Sequence, residues 1–271
     1  MRNPLTEDQP RPVRYSFWFL LFLFGHMLLS HLDRTVSELA RVADPGLLDI
    51  FRAITEAGDS KWTLVPTGVL GLGSIAAGWF ILTDRRVAAM ARWTGSALMF
   101  VFASVALSGI AVNIVKVAVG RARPKLLEQA GFLGFDPMIL NANFHSFPSG
   151  HANTAVAFAL AVSFMVPSWR GALLAAACLI GLSRIAVNAH FVTDVIGGGA
   201  LAIATTYWLR GWFTSQGWVF YRESGGTYRL LWPGMVLPLS AGRTLRRLRE
   251  TGAIQPPASA EASARSPRPS P

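Results

Sequence analysis

The residues Phe147-Pro148-Ser149-Gly150-His151 run straight into Ala152-Asn153-Thr154 and an apolar segment. A Pro-Ser-Gly turn ahead of a helix suits Ser149 to the N-cap position and leaves the first-turn amides free to face an anion. Gly150 lets a ligand approach the backbone closely, and His151 can give or take a proton near neutral pH. Alone this is a weak signal, but two further groups accompany it. Lys116 and Arg123 are seven residues apart, a spacing that returns to nearly the same face of a helix, with Pro124 ending that helix. Arg184 adds a planar fork suited to phosphate oxygens. His190 and Asp194 are four apart, on one face if helical. A carboxylate there can hold the imidazole in one tautomer and leave its other nitrogen free to attack, and His151 would then protonate a leaving alkoxide. Two chemistries compete for these residues. His145, His151, His190 and Asp194 have the types of a zinc set. Lys116, Arg123 and Arg184 would repel a divalent metal and favour an anion. Taken singly, each of these cations reads as a headgroup-contacting residue.

In order and spacing, the blocks K116-x6-R123-P124, P148-S-G-H151 and S183-R184-x5-H190-x3-D194 resemble the signature of the type 2 phosphatidic acid phosphatase superfamily. The resemblance covers about residues 93–214 and fills every signature position. It implies a membrane lipid phosphatase that works through a phosphohistidine and needs no metal or other cofactor. In that family the residue matching His190 is the nucleophile, that matching Asp194 orients it, and that matching His151 is the general acid. The residues matching Lys116, Arg123, Ser149, Gly150 and Arg184 bind the phosphoryl oxygens. Arg121 and His145 lie outside the signature and are undecided supporting residues.

The elements that must carry these groups are apolar. Hydrophobic residues make up 52% of the 271 and charged residues 15%, against about 25% charged in an average soluble domain. A net charge of +10 fits either nucleic acid or an anionic lipid surface, and the apolar runs favour lipid. The patterning predicts an all-α integral membrane bundle of about six transmembrane helices. The expected spans are 16–32, 62–82, 93–119, 152–167, 172–187 and about 190–213, with the first read as an uncleaved helix. His26 and His31 fall in or at the end of the first span and read as packing and interfacial residues. Residues 33–61 predict two short amphipathic helices on the membrane surface, split by Asp44-Pro45-Gly46. Residues 83–92 and 120–148 are read as connections, the second long, with Phe132, Phe135 and Phe144. Cys178 is read as a small core residue.

The expected organisation is a cytoplasmic tail over 1–15, a phosphatase domain over 16–214, a basic interfacial segment over 215–254 and a disordered Pro-, Ser- and Ala-rich tail over 255–271. Arginines of the N-terminal tail, Arg85, Arg86, Arg92, Arg170 and the C-terminal segment fall on one side, which the positive-inside rule makes cytoplasmic. The 33–61 loop, with four basic and six acidic residues, falls on the other side together with the three blocks. In a bacterium that places the chemistry at the periplasmic face of the inner membrane. The expected partners are a phosphorylated lipid substrate and membrane lipids, with no nucleic acid. Three other readings compete. A vanadium haloperoxidase, with a similar pocket, is soluble, which six spans count against. A catalytically inactive lipid-binding relative would lack signature residues. A lipid phosphotransferase would use the same intermediate with an acceptor other than water.

Overall fold

A computed structural model describes residues 31–130, 134–223 and 226–232, together with Gly25, Met27 and Leu29. The tails over 1–15 and 255–271, most of the first expected span with His26, Phe132, and most of the basic segment beyond Trp232 lie outside the described residues. The chain is helical, as expected, with one small hairpin added. A helix over 31–41 (α1) is followed by α2 (Pro45–Glu56), α3 (Lys61–Phe80), α4 (Arg85–Val119), α5 (Pro124–Ala130), α6 (Gly150–Met165), α7 (Arg170–Ala186) and α8 (Val192–Gln216). Strands β1 (Phe220–Arg222) and β2 (Tyr228–Leu230) pair antiparallel, Phe220 opposite Leu230.

Local chemistry sets the element ends. The Asp44 carboxylate accepts the Leu47 N–H at 3.0 Å and Pro45 occupies the first turn, so Asp44-Pro45-Gly46 starts α2 rather than merely interrupting a pattern. Asp84 does the same for α4, accepting from Arg86 and Val87 at 2.8 and 2.9 Å. The helix therefore begins at Arg85, and most of the expected 83–92 connection is its first turns. At 35 residues α4 is about 52 Å long, well beyond the hydrocarbon thickness. Among the described residues, three helical segments are long and apolar enough to cross a bilayer: Pro45–Ile81, Arg85–Val119 and Pro167–Ala186. The apolar α6 has 16 residues.

The contacts divide the chain into two units. One takes in Met1–Gly58, Val112–Asn153 and Cys178–Ala200; the other takes in Asp59–Ala111, Thr154–Ala177 and Leu201–Pro271. In the second, α3 and α4 touch backbone to backbone. A Cβ on Gly95 would lie 2.7 Å from Gly71 O, and one on Gly78 would lie 2.7 Å from Ala88 O. Small residues at such a seam are the membrane solution to helix packing, where lipid offers no hydrophobic drive. Outward residues of α3, such as Val65, Val69, Leu72, Trp79 and Phe80, are exposed. The core of this unit gathers on Phe100, whose ring meets Phe213 at 5.1 Å and Phe220 at 5.0 Å. Phe220 belongs to β1, so residues 220–222 and 228–230, within the expected basic interfacial segment, form a hairpin with a buried residue. Arg210 lies over the Phe164 ring at 4.2 Å and the Tyr228 ring at 4.5 Å.

In the first unit, α1 turns two polar side chains inward. Asp33 and Ser37 are buried, whereas Leu32, Leu39 and Val42 are exposed. Cys178 is also exposed, a correction to its reading as a core residue.

Candidate active site

Every candidate residue belongs to the first unit. Lys116 sits in the last turn of α4. Gly120 ends that turn with φ +57° and its N–H bonded to Lys116 O at 2.9 Å. An added Cβ there would also strike Asp136 O at 1.7 Å, so only glycine fits. The helix thus stops before Arg123, and the seven-residue spacing is bridged by a turn and a short extended run. That run is held on both sides. Ala122 N bonds Gly134 O and Asp136 N bonds Gly120 O, while Arg123 N bonds Asn143 O and Ser146 N bonds Arg121 O. The Arg123 side chain donates through Nε to Ala142 O at 3.0 Å. Pro124 opens α5 rather than ending α4, and the described residues of the expected long connection over 120–148 include this helix and backbone hydrogen bonds to Gly134, Asp136, Asn143 and Ser146.

The second block lies against the first turns of α8. Ser149 N donates to Asp194 O at 2.9 Å. A Cβ on Gly198 would come within 2.3 Å of Ser149 O, and one on Gly197 within 2.3 Å of the Phe147 ring. The glycine run after Ile196 is what lets the turn sit this close. Ser149 is the residue before α6 and is fully buried, but its hydroxyl makes no capping bond. A Cβ on Gly150 would lie 3.7 Å from Lys116 Nζ. The His151 ring packs on Gly58, where an added Cβ would be 3.1 Å from Cδ2.

Arg184 lies in the last turn of α7 and donates to Thr55 Oγ1 at 2.9 Å. His190 stands in the turn before α8, so the His–Asp pair is not an exposed helical face but a helix entrance. Asn188 turns the chain there with φ +51°, and its side chain accepts from Ser37 at 2.8 Å. Asp194 is the third residue of α8 and takes the Phe191 N–H at 2.9 Å, the returning half of a capping box. His190 Nδ1 faces Asp194 Oδ2 across 3.6 Å, longer than a hydrogen bond, with both side chains almost wholly buried.

The electrostatics bring the three blocks together. Lys116 lies within range of Arg123, Arg184 and Asp194, and His190 within range of Lys116 and Arg123. Burial holds the Arg123 guanidinium below its usual pKa, with Asp194 acting in the opposite sense. Ser149 Oγ, Arg184 Nε and His190 Nδ1 are buried and make no hydrogen bond. Unmet buried polar atoms cost about 1–3 kcal/mol each, and phosphoryl oxygens can accept from the serine and the arginine. Among the described residues, no three of His, Cys, Asp and Glu come together as a metal site, so the zinc set does not assemble. His145 turns away, its Nε2 3.0 Å from Ile139 O.

Four participants were not legible as such. Ser146 donates to Asp194 Oδ2 at 2.5 Å, and Arg121 to Asp194 Oδ1 at 2.6 Å. Asp33 accepts from Arg121 at 2.7 Å, and Thr193 N donates to Asp33 at 3.1 Å. The available signal was two polar residues, Asp33 and Ser37, four apart on one face of a helix otherwise offering Leu and Val.

Residues 97–218 match the PAP2 superfamily. A lipid A 1-phosphatase of Rhizobium etli is 34% identical over 183 residues, covering 66% of this chain and 75% of that protein. Phosphatidylglycerophosphatase B of Bacillus subtilis is 28% identical over 218 residues, covering 74% and 94%. The fold is also that of a transmembrane PAP2-type phosphatidylglycerolphosphate phosphatase crystallised from Bacillus subtilis, with TM-score 0.50 at 23% identity over 72% of this chain and 92% of that one.

Proposed function

This chain belongs to the PAP2 superfamily, and from that premise we propose how it works. It is an integral membrane phosphatase of the lipid-phosphatase kind, a phosphoric monoester hydrolase. The proposed substrate is a lipid bearing a terminal phosphate monoester or diphosphate. In the first step Nε2 of His190 attacks phosphorus, the bond from phosphorus to the lipid oxygen breaks, and His151 gives that oxygen its proton. In the second step water attacks the phosphohistidine, His151 takes the water's proton, and His190 leaves. Asp194 holds Nδ1–H towards itself, so Nε2 carries the lone pair. Lys116, Arg123, Arg184, Ser149 Oγ and the Gly150 amide bind the phosphoryl oxygens and offset charge developing on them. Side chains thus supply the positive charge that a metal supplies elsewhere.

The observation that carries this reading is the gathering of Lys116, Arg123 and Arg184 around a buried His190–Asp194 pair. Cations at such proximity repel unless an anion joins them. We further propose that the site faces the periplasm and the termini the cytoplasm. In support, α4 and α7 each begin with arginine, at Arg85 and Arg170, and each carry a site cation in the last turn, Lys116 and Arg184.

The test is product analysis with purified protein in excess EDTA. The substrates are phosphatidate, phosphatidylglycerol phosphate, a polyprenyl diphosphate and a lipid A phosphate. Release of free phosphate from at least one is expected. Phosphate appearing only on a second lipid would make the protein a phosphotransferase. Loss of activity in EDTA with recovery on adding a divalent ion would overturn the metal-free reading.

A further inference from the structure

Arg121 lies two residues before Arg123 and shares its block, yet its donors point elsewhere. Nη1 donates to Asp194 Oδ1 and Thr193 Oγ1, both at 2.6 Å, and Nη2 donates to Asp33 Oδ2 at 2.7 Å. The guanidinium carbon lies 4.6 Å from the centre of the Phe191 ring. Asp33 in turn accepts from the Thr193 N–H at 3.1 Å and from the Thr193 hydroxyl. Asp33 is 1% exposed, Arg121 8% and Asp194 0%. Three charged side chains from α1, the turn after α4, and α8 are therefore buried in one network.

We infer that Asp33 and Arg121 are positioning residues that fix Asp194, and through it His190, rather than phosphate-binding groups. The inference rests on the role proposed for His190 and Asp194. Arg121 donates to Oδ1 of Asp194, while Ser146 and the Phe191 N–H donate to Oδ2, so both oxygens are fixed in place. That same Oδ2 is the oxygen that faces His190 Nδ1, across 3.6 Å. Arg121 also shares the negative charge of Asp194, which makes the carboxylate a weaker base and keeps the ring proton on Nδ1. Asp33 holds Arg121 from its far side and anchors Thr193, the residue adjoining Asp194, so the first turn of α8 and the guanidinium move together. Stability alone is a poor account of the network, because buried ion pairs are often replaceable by apolar side chains without loss.

The experiment is a kinetic double-mutant cycle in the full-length protein, using a lipid monoester that the wild type hydrolyses. Arg121→Lys keeps the charge but not the fork, and Asp33→Asn keeps the shape but not the charge. Each is expected to lower kcat by about a hundredfold, the cost of misplacing a reacting group by about 1 Å. KM and inhibition by inorganic phosphate should stay within about twofold, whereas Arg123→Lys should weaken phosphate inhibition. In an Asp194→Asn background, either substitution should then lower kcat by less than about threefold, because it acts through the carboxylate already lost. If Arg121→Lys does not fold, Asp33→Asn carries the same cycle. Multiplicative losses in the Asp194→Asn background would overturn the inference, as would weaker phosphate inhibition with kcat unchanged. Full activity in Asp194→Asn alone would instead sink the underlying assignment of Asp194.

Discussion

Asp194 accepts from Arg121, Ser146 and the Phe191 amide while facing His190, so a single carboxylate ties the turn before α8 to two other positions of the chain. Asp194→Asn retains one oxygen and presents an NH2 group to either the arginine or the histidine. Turnover should fall by about two to four orders of magnitude, with a measurable residue. His190→Ala should leave none. Phosphate release assays on both variants check this, and near wild-type release by His190→Ala would remove the nucleophile assignment. The signature residues were legible because their types are scarce in an apolar chain and their spacing is distinctive. Asp33 was not, because its meaning depends on Arg121, 88 positions away, and no local pattern encodes that pairing. Arg121 was visible as a charge, but neighbouring Arg123 carries the same type and spacing cannot say which guanidinium meets an anion.

At the scale of elements, the helix periods were readable and their ends less so. Lys116 and Arg123 were placed on one helix, but Gly120 stops α4 between them. His190 and Asp194 were placed on one helix face, but α8 begins at Val192. Both pairs still converge, since a tight turn can return a side chain to the place a helix would have put it. The FPSGH turn depends on α8 having no side chains where they meet. Gly198→Ala would push a methyl to within 2.3 Å of Ser149 O, a backbone atom that cannot yield cheaply. A loss of about 1–3 kcal/mol is expected, together with a larger loss of kcat than of thermal stability alone would explain. Thermal unfolding and kinetics on the purified variant check it, and a Gly198→Ala enzyme with unchanged kcat would show that the turn tolerates displacement. Gly73→Ala, where nothing lies within 4 Å, is the matched control.

For the molecule as a whole, composition announced a membrane protein, and the relatives and the long apolar helices agree. The number of spans was the less legible quantity, because apolar composition alone does not say whether a helix as short as α6, with 16 residues, crosses the bilayer. The proposed orientation has its own measurement. With Cys178 replaced by Ala, single cysteines at the exposed positions Leu140 and Thr83 are labelled in intact cells with a membrane-impermeant thiol reagent. Labelling at Leu140 and not at Thr83 is expected. The reverse would place the chemistry in the cytoplasm.

The claim on which the rest depends is transfer of the phosphoryl group to His190. Rapid alkaline quenching of the enzyme during turnover of a lipid carrying radioactive phosphate, followed by peptide mapping, tests it directly. The expected label survives base, is lost in acid, maps to the peptide containing His190, and is absent from His190→Ala. An acid-stable label on Ser149, or full turnover with no labelled protein at any time, would contradict it.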